Sequence, residues 1–237
     1  MKQSTIERLI NVSCGRAISD YKMIADRDKI LVGVSGADSL ALLEALLVKQ
    51  KHAPVKFSLI AVHVSANEQN ADVIENYLKS KNIEYHFIDL DLSKGRKDIE
   101  RSECFWCSWK RREIIFKLAG KLKCNKVAFG HHLDDIIETY LLNIFFLGEI
   151  SAMPPKLKMR KGNFHIIRPF CYLEKKQIEE YAEFKNIPKM PFKCPHSKVT
   201  NRPLVRSFIE NLKEKSPNVK KNIFKSMTNI KKNYLPK

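Results

Sequence analysis

The chain contains no apolar run approaching the roughly 18 to 20 residues that a membrane-spanning helix needs. Its N-terminus, MKQSTIERLI, lacks the apolar segment of a secretory signal. Both absences predict a soluble, cytoplasmic protein with no membrane partner. Cysteine is sparse: Cys14, Cys104, Cys107, Cys124, Cys171 and Cys194 are the whole supply in 237 residues. That is too few for a disulfide scaffold, and thiols in a chain without export signals stay reduced. Neither G-x-x-x-x-G-K-[ST] nor G-x-G-x-x-G occurs, which excludes Walker-type and dinucleotide-binding readings. No internal repeat with a period of about 20 to 50 residues is present, so solenoids and propellers are excluded too. Acidic residues are short in supply: 26 Asp and Glu face 43 Lys and Arg, a formal net charge of +17. That excess is larger than solubility requires and fits a polyanionic partner, although a Lys-rich composition alone gives the same sum.

What is present is ordinary globular usage, 44% hydrophobic and 29% charged, in a length that suits one α/β domain with a modest appendage. KILVGV (29–34) is a short apolar run that stops at Ser35-Gly36 and gives way to Leu40, Leu43, Leu46 and Leu47 at helical spacing. FSLIAVHV (57–64), YHFIDL (85–90) and KVAFG (126–130) repeat the strand signal. Helical patterns separate them, the last running from about Asp134 with Ile137, Tyr140, Leu141 and Ile144 on one face. Strands alternating with helices predict an α/β fold: an open parallel sheet with helices on both faces. After Gly148 the pattern changes to Pro154-Pro155, a basic stretch, HIIRPF, a helix from near Glu174, and a basic, helical C-terminus. The partition this suggests is a nucleotide-type domain over 1–148 and a smaller helical region over 149–237.

Three motifs carry chemistry. The first, Val34-Ser35-Gly36-Ala37-Asp38-Ser39, follows the first strand and opens the first helix of the alternating pattern. Helix N-terminal amides bind anions, and Gly36 lets a phosphate approach the backbone. Asp38 makes sense there as an N-cap or as a ligand of a bridging Mg²⁺. An ordinary serine-capped helix would look the same if this motif stood alone. The second, Gly130-His131-His132-Leu133-Asp134-Asp135, ends the fourth strand. Ligands in open α/β sheets sit beyond the carboxyl ends of the strands, so both motifs are expected to face one crevice; otherwise Asp134 and Asp135 simply favour a helix dipole. The third is Cys104-Phe105-Trp106-Cys107, followed by Ser108-Trp109-Lys110-Arg111-Arg112, with a further thiol at Cys194 in K-C-P-H-S. A two-residue gap lets both sulfurs reach one metal. The alternatives are zinc completed by His196, a [4Fe–4S] cluster with one iron not held by cysteine, a redox pair or no site. Cys14, Cys124 and Cys171, isolated among apolar residues, are read as core.

Together these residues resemble the PP-loop superfamily, and within it the tRNA 2-thiocytidine synthetase group. The likeness also includes D-Y-K-M-I (20–24), M-P-P-K-L (153–157), I-I-R-P-F (166–170) with Y-L-E after it, and Cys194-Pro195. The resemblance implies adenylation of the C2 oxygen of a tRNA pyrimidine, cytidine 32, by ATP and its replacement by sulfur. Ser35, Gly36, Ala37, Asp38 and Ser39 would hold the pyrophosphate part of ATP and Mg²⁺, with His63, Gly130 and His132 completing the nucleotide contacts. Cys104, Cys107 and Cys194 would ligate a [4Fe–4S] cluster. Arg111, with Asp38 and Asp134 or Asp135, would be catalytic. Trp109, Lys110 and Arg112 supply a stacking surface and cations for an extruded base, and Lys156, Arg168, Arg202 and Arg206 are further tRNA contacts. A sulfur donor, either a cysteine desulfurase or sulfide, and a homodimer follow from the same likeness.

One departure matters. The group's loop reads S-G-G-x-D-S, whereas this chain has S-G-A-D-S, one residue short, which moves each following amide by about 3 Å. A cradle altered in that way admits weak ATP binding, binding in altered geometry or none, while the other motifs argue for activity. A tRNA lysidine synthetase-like ligase, or a tRNA-binding paralogue without catalysis, are the competing readings.

Overall fold

The computed structural model describes residues 3–65, 71–91, 103–160, 162–190 and 201–234. In chain order the elements are α1 (Gln3–Asp20), β1 (Asp28–Val34), α2 (Ala37–His52), β2 (Phe57–Ser65), α3 (Ala71–Ser80) and β3 (Glu84–Asp89). Then come α4 (Glu103–Lys121), β4 (Lys126–Ala128), α5 (Leu133–Leu142), β5 (Lys156–Lys158), β6 (His165–Ile167), α6 (Lys175–Phe184), α7 (Arg202–Lys215) and α8 (Val219–Ser226).

The six strands form one sheet in the order β3-β2-β1-β4-β6-β5. Every neighbouring pair is parallel except β5 with β6. The predicted open parallel sheet is therefore the observed one, with an antiparallel edge strand added. Alternation explains why helices cover both faces. Ile30, Val32, Leu59 and Ala61 join a core with α1, α2, α3 and α6. Leu31, Ile60, Val62 and Val127 point the other way, toward Ile115 and Ala119 of α4. A strand buried on both faces has to be apolar throughout, which is what KILVGV and FSLIAVHV display.

Helix α1 was not delineated by the sequence patterns above. Its buried face, Ile6, Ile10, Cys14 and Ala17, lies at three- to four-residue spacing. Cys14, Cys124 and Cys171 are buried, as expected of core thiols, and burial pushes Cys14 and Cys171 up to about 12. A π-helical turn, Asn143–Leu147, ends α5, and Gly148 closes it with a left-handed φ of 66° that glycine takes without steric cost. Beyond Gly148 the chain stays with the sheet, since β6 pairs with β4. Helix α7 then packs on α5 through Val205 and Ile209 against Leu133, Ile137 and Leu141, and α8 joins the same cluster through Ile223 and Phe224.

The topology dictates where a ligand can sit. From β1 the chain builds outward through β2 to β3, then returns by α4 to β4 on the other side of β1. The chain moves outward from β1 toward β2 and from β4 toward β6, in opposite directions along the sheet, and that reversal opens a crevice beyond their carboxyl ends. Residues 35–39 and 130–135 are the segments leaving those two ends. No helix among the described residues is long and apolar enough to cross a membrane.

Candidate functional site

The crevice is an open pocket lined by Ser35, Gly36, Ala37, Asp38 and Ser39 from one motif and Gly130, His131 and Asp135 from the other. The expected meeting of the two motifs is thus realised. Their approach is close: a Cβ on Gly130 would stand 3.0 Å from the backbone of Asp38 and Ser39, so a larger residue would have to push the loops apart by a few tenths of an ångström. The first-turn amides of α2, from Ala37 on, lack intrahelical acceptors and carry the positive end of the helix dipole.

The shortened loop closes on itself. Ser39 Oγ accepts the amides of Ser35 at 2.8 Å and Gly36 at 3.1 Å and donates to Gly36 O at 2.7 Å. The Ser39 hydroxyl is therefore engaged in shaping the turn. Asp38 is held as well, because Lys175 Nζ donates to its Oδ1 at 2.6 Å and its Oδ2 at 2.7 Å.

The carboxylates of the second motif divide. Asp135 lines the pocket and accepts the His132 amide at 3.1 Å. Asp134 turns away from it, accepting the Lys175 amide at 2.7 Å and Lys220 Nζ at 2.7 Å. Burial would raise the Asp134 carboxyl, but His132, Lys220 and the Lys175 amide hold it well below the usual carboxylate range. His132 is buried, which disfavours its charge, yet Asp134, Asp135 and Asp38 raise it above its ordinary value. His131 behaves oppositely: burial and the nearby Arg168 hold it down to about 4. His63 donates from Nδ1 to Val34 O at 2.8 Å, and burial lowers it, with Arg111 adding to the effect. A neutral ring donating at Nδ1 keeps Nε2 as an acceptor.

Helix α4 carries the third motif. Cys104 stands in its first turn and Cys107 three residues on, a half-buried free thiol; Cys194 and His196 lie outside the described residues. Trp106 and Trp109 stack with centroids 5.4 Å apart and planes 15° off parallel. Lys110 Nζ sits 5.0 and 5.2 Å from their centroids and 3.0 Å from Glu113, so its charge is largely answered within the helix. Trp109 remains 42% exposed. Among the described residues, Trp106 Nε1 and Arg111 Nε are buried without hydrogen-bond partners. Arg112 Nε donates to Ser108 O at 3.1 Å.

The other basic residues scatter. Lys156 reaches the carbonyl of Lys22. Arg168, only 7% exposed, donates to Pro154 O at 2.6 Å, tying M-P-P to I-R-P. Burial and Arg112 hold the Arg168 guanidinium down to about 10. Arg206 forms a two-pronged pair with buried Glu138 at 2.8 and 3.1 Å, and Arg202 lies 3.5 Å from the same carboxylate.

Lys175 and Lys220 were not anticipated from the sequence. A signal existed for the first: Lys175-Lys176 opens α6, where cations oppose the helix dipole, so a local acid was needed. Lys220 sits in an ordinary basic run and gave none.

The PP-loop domain family matches residues 6–213, and the chain belongs to that family, as the motif resemblance implied. The tRNA-cytidine(32) 2-sulfurtransferase of Pseudomonas fluorescens (strain Pf0-1) is 35% identical over 237 residues, 97% of this chain and 86% of that protein. The protein of the same name from Hahella chejuensis (strain KCTC 2396) is also 35% identical, covering 99% of this chain and 85% of its own length. Among solved structures, the U34-tRNA thiolase NcsA from Methanococcus maripaludis, with its [4Fe–4S] cluster, matches at a TM-score of 0.79 and 21% identity, covering 96% of this chain and 79% of that one. An NH3-dependent NAD synthetase from Campylobacter jejuni matches at 0.52 and 18%, covering 100% and 98%. These two structural likenesses concern the fold.

Proposed function

We propose that the protein is an ATP-dependent tRNA sulfurtransferase acting on C2 of cytidine 32. The observation that carries this reading is the crevice at the switch point, where Ser35–Ser39 and Gly130–Asp135 meet in close backbone contact at Gly130, in a chain 35% identical to sulfurtransferases of that specificity. In the first step the C2 oxygen bonds to the α-phosphorus of ATP and pyrophosphate leaves. A sulfur nucleophile then attacks C2, the C–O bond breaks, and AMP departs.

The pyrimidine oxygen is a poor leaving group and the adenylate a good one, so the site's main task is holding phosphates beside an extruded base. The α2 amides, Asp38 with Mg²⁺, and Arg111 suit the charge that develops there. Asp135, facing the pocket, is the better placed of the two acids. His63 offers an acceptor at the end of β2. Trp109 offers an aromatic face for the base, and Arg112, with Lys156, Arg202 and Arg206, basic surface for the RNA; Arg168, expected as a further tRNA contact, is buried on the Pro154 carbonyl and instead ties the two Pro-containing segments together. The donor set fits a [4Fe–4S] cluster: Cys107 is a reduced thiol in no disulfide, spaced for a shared centre with Cys104. Cys104, Cys107 and Cys194 would hold the cluster, which when bound supplies the sulfur to be transferred. A cytoplasmic homodimer drawing sulfur from a cysteine desulfurase or sulfide completes the reading, with 1–148 as the catalytic part and 149–237 assisting tRNA binding.

Mass spectrometry of tRNA nucleosides from cells with and without the gene tests it. Loss of 2-thiocytidine on deletion is the expected result; an unchanged nucleoside profile would overturn it. One observation favours a second reading, tRNA binding without catalysis: Ser39 pinches the short loop and Lys175 occupies Asp38. ATP binding that appears only after a glycine is restored to the loop would select that alternative.

A further inference from the structure

The residues of α8 fall beyond the span matched by the PP-loop family, which ends at 213, yet one of them reaches the site. We infer that Lys220 is a positioning residue for the catalytic crevice, acting through Asp134 on Lys175 and His132. This rests on the reading above and extends it to a residue outside the family domain.

The geometry supplies the argument. The Lys220 side chain is 8% exposed and its Nζ lies 2.7 Å from Asp134 Oδ1, 2.9 Å from Glu210 Oε1 and 3.5 Å from Glu174 Oε2. A long cation buried this deeply costs several kcal/mol unless it is paired. Asp134 is the least exposed of its three partners, with a side chain 14% exposed against 53% for Glu210. A surface contact with Glu210 would anchor α8 without burying an ammonium group.

What the inward reach does accomplish is orientation. Asp134 Oδ1 is bound by Lys220, which turns Oδ2 toward the Lys175 amide at 2.7 Å and leaves it 3.5 Å from His132 Nδ1. Lys175, fixed by its backbone, then extends Nζ onto both oxygens of Asp38. Three elements far apart in sequence are thereby set against the phosphate loop by one charge from α8. Buried side-chain networks of this kind hold reacting groups in place, and a displacement near 1 Å can cost about 10²-fold in rate.

The test compares Lys220→Met, Lys220→Arg and Glu210→Gln in the full chain. For Lys220→Met, kcat for ATP-dependent AMP release in the presence of tRNA should fall about 10- to 100-fold, with KM for ATP within about threefold. Lys220→Arg should recover most of that loss, and Glu210→Gln should lower Tm while keeping kcat. Independently of activity, amide hydrogen exchange at Lys175 should quicken about tenfold or more in Lys220→Met and stay unchanged in Glu210→Gln. A Lys220→Met protein with unchanged Lys175 protection and kcat within about twofold of wild type would overturn the inference, as would equal losses of kcat in Lys220→Met and Glu210→Gln. Should Lys220→Met not fold, Asp134→Asn/Lys220→Met leaves no buried charge unpaired. Equal kcat in that pair and in Asp134→Asn supports action through Asp134, and a further multiplicative drop refutes it. An inactive wild type with altered Lys175 exchange in the variant would count against the sulfurtransferase reading alone.

Discussion

The carboxylate corner between α2, α5, α6 and α8 and the N-terminal half of α4 border the same sheet but are finished to different degrees. In the corner each acid has a partner: Asp38 has Lys175, Asp134 has Lys220 and the Lys175 amide, and Asp135 has the His132 amide. Along α4, Trp106 Nε1 and Arg111 Nε are buried with no hydrogen-bond partner among the described residues, as are His131 Nδ1 and His132 Nδ1 in the corner, and Trp109 is half exposed. Buried donors without partners are costly and uncommon. The contrast teaches that the acids of the corner are held by the fold itself, whereas α4 keeps buried donors and an aromatic face uncommitted. Preorganisation serves phosphate chemistry, and an open surface serves a partner that enters and leaves with each turnover.

The widest separation between the two regions should come from Cys107→Ala. Thiolation of tRNA should be abolished while ATP affinity, set in the corner, stays within about twofold; equilibrium ATP binding beside nucleoside mass spectrometry measures both. Concurrent loss of ATP binding would mean the regions are not separable.

Next in size is Lys175→Met, expected to lower kcat for ATP-dependent AMP release about 10- to 100-fold with KM for ATP within about threefold, or roughly 1.4 to 2.8 kcal/mol of barrier. Its effect on urea stability should stay under about 1 kcal/mol, because both partners of the Asp38 pair are part-exposed and solvent screens them. A stability loss exceeding the functional one would recast Lys175 as a structural tie.

On α4 the expected effects are smaller and salt-dependent. Arg112→Ala should weaken tRNA binding about threefold to tenfold and make the salt slope shallower by about one. Lys110→Ala should do less, since Lys110 is held by Glu113 and the tryptophan pair. Equal slopes for both variants would place the RNA elsewhere.

The smallest effect separates the neighbouring histidines of the corner. His131 is held down to about 4 in the folded chain by burial and Arg168, so between about pH 6.5 and 4 the unfolded chain takes up a proton that the folded one refuses. Stability should fall with acidification in that window, by at most about 1.4 kcal/mol per pH unit. His132 is raised by its carboxylates despite burial; its contribution is full below about pH 6.5 and is lost as pH rises through the folded value. His131→Gln should therefore flatten the acid limb of a urea-stability profile below about pH 6.5, whereas His132→Gln should leave that limb unchanged and remove the fall in stability above about pH 6.5. Parallel profiles would show that neither ring has the surroundings described.

Much of this was legible in the chain. KILVGV and FSLIAVHV announced central strands because burial on both faces demands unbroken apolar runs. S-G-A-D-S and G-H-H-L-D-D announced a shared crevice because strand ends in parallel sheets converge. The edge strand β5, K-L-K, was not legible: three residues with lysines at both ends carry no strand period, and only pairing with β6 makes them one. The division of labour between Asp134 and Asp135 was equally hidden, since adjacent carboxylates look alike until one is turned toward Lys220.

Residue order alone set the composition of the phosphate loop, the two-residue gap between Cys104 and Cys107, the tryptophans one helical turn apart and the missing loop residue. Those features are local, fixed by helix pitch, strand pleat and bond lengths. Only the tertiary fold decided which cation meets which acid: Lys175 lies 137 residues from Asp38, and Lys220 86 residues from Asp134. No periodicity spans such distances. The sheet order closes them, by carrying β6 back beside β4 so that α6 and α8 arrive at the carboxyl edge.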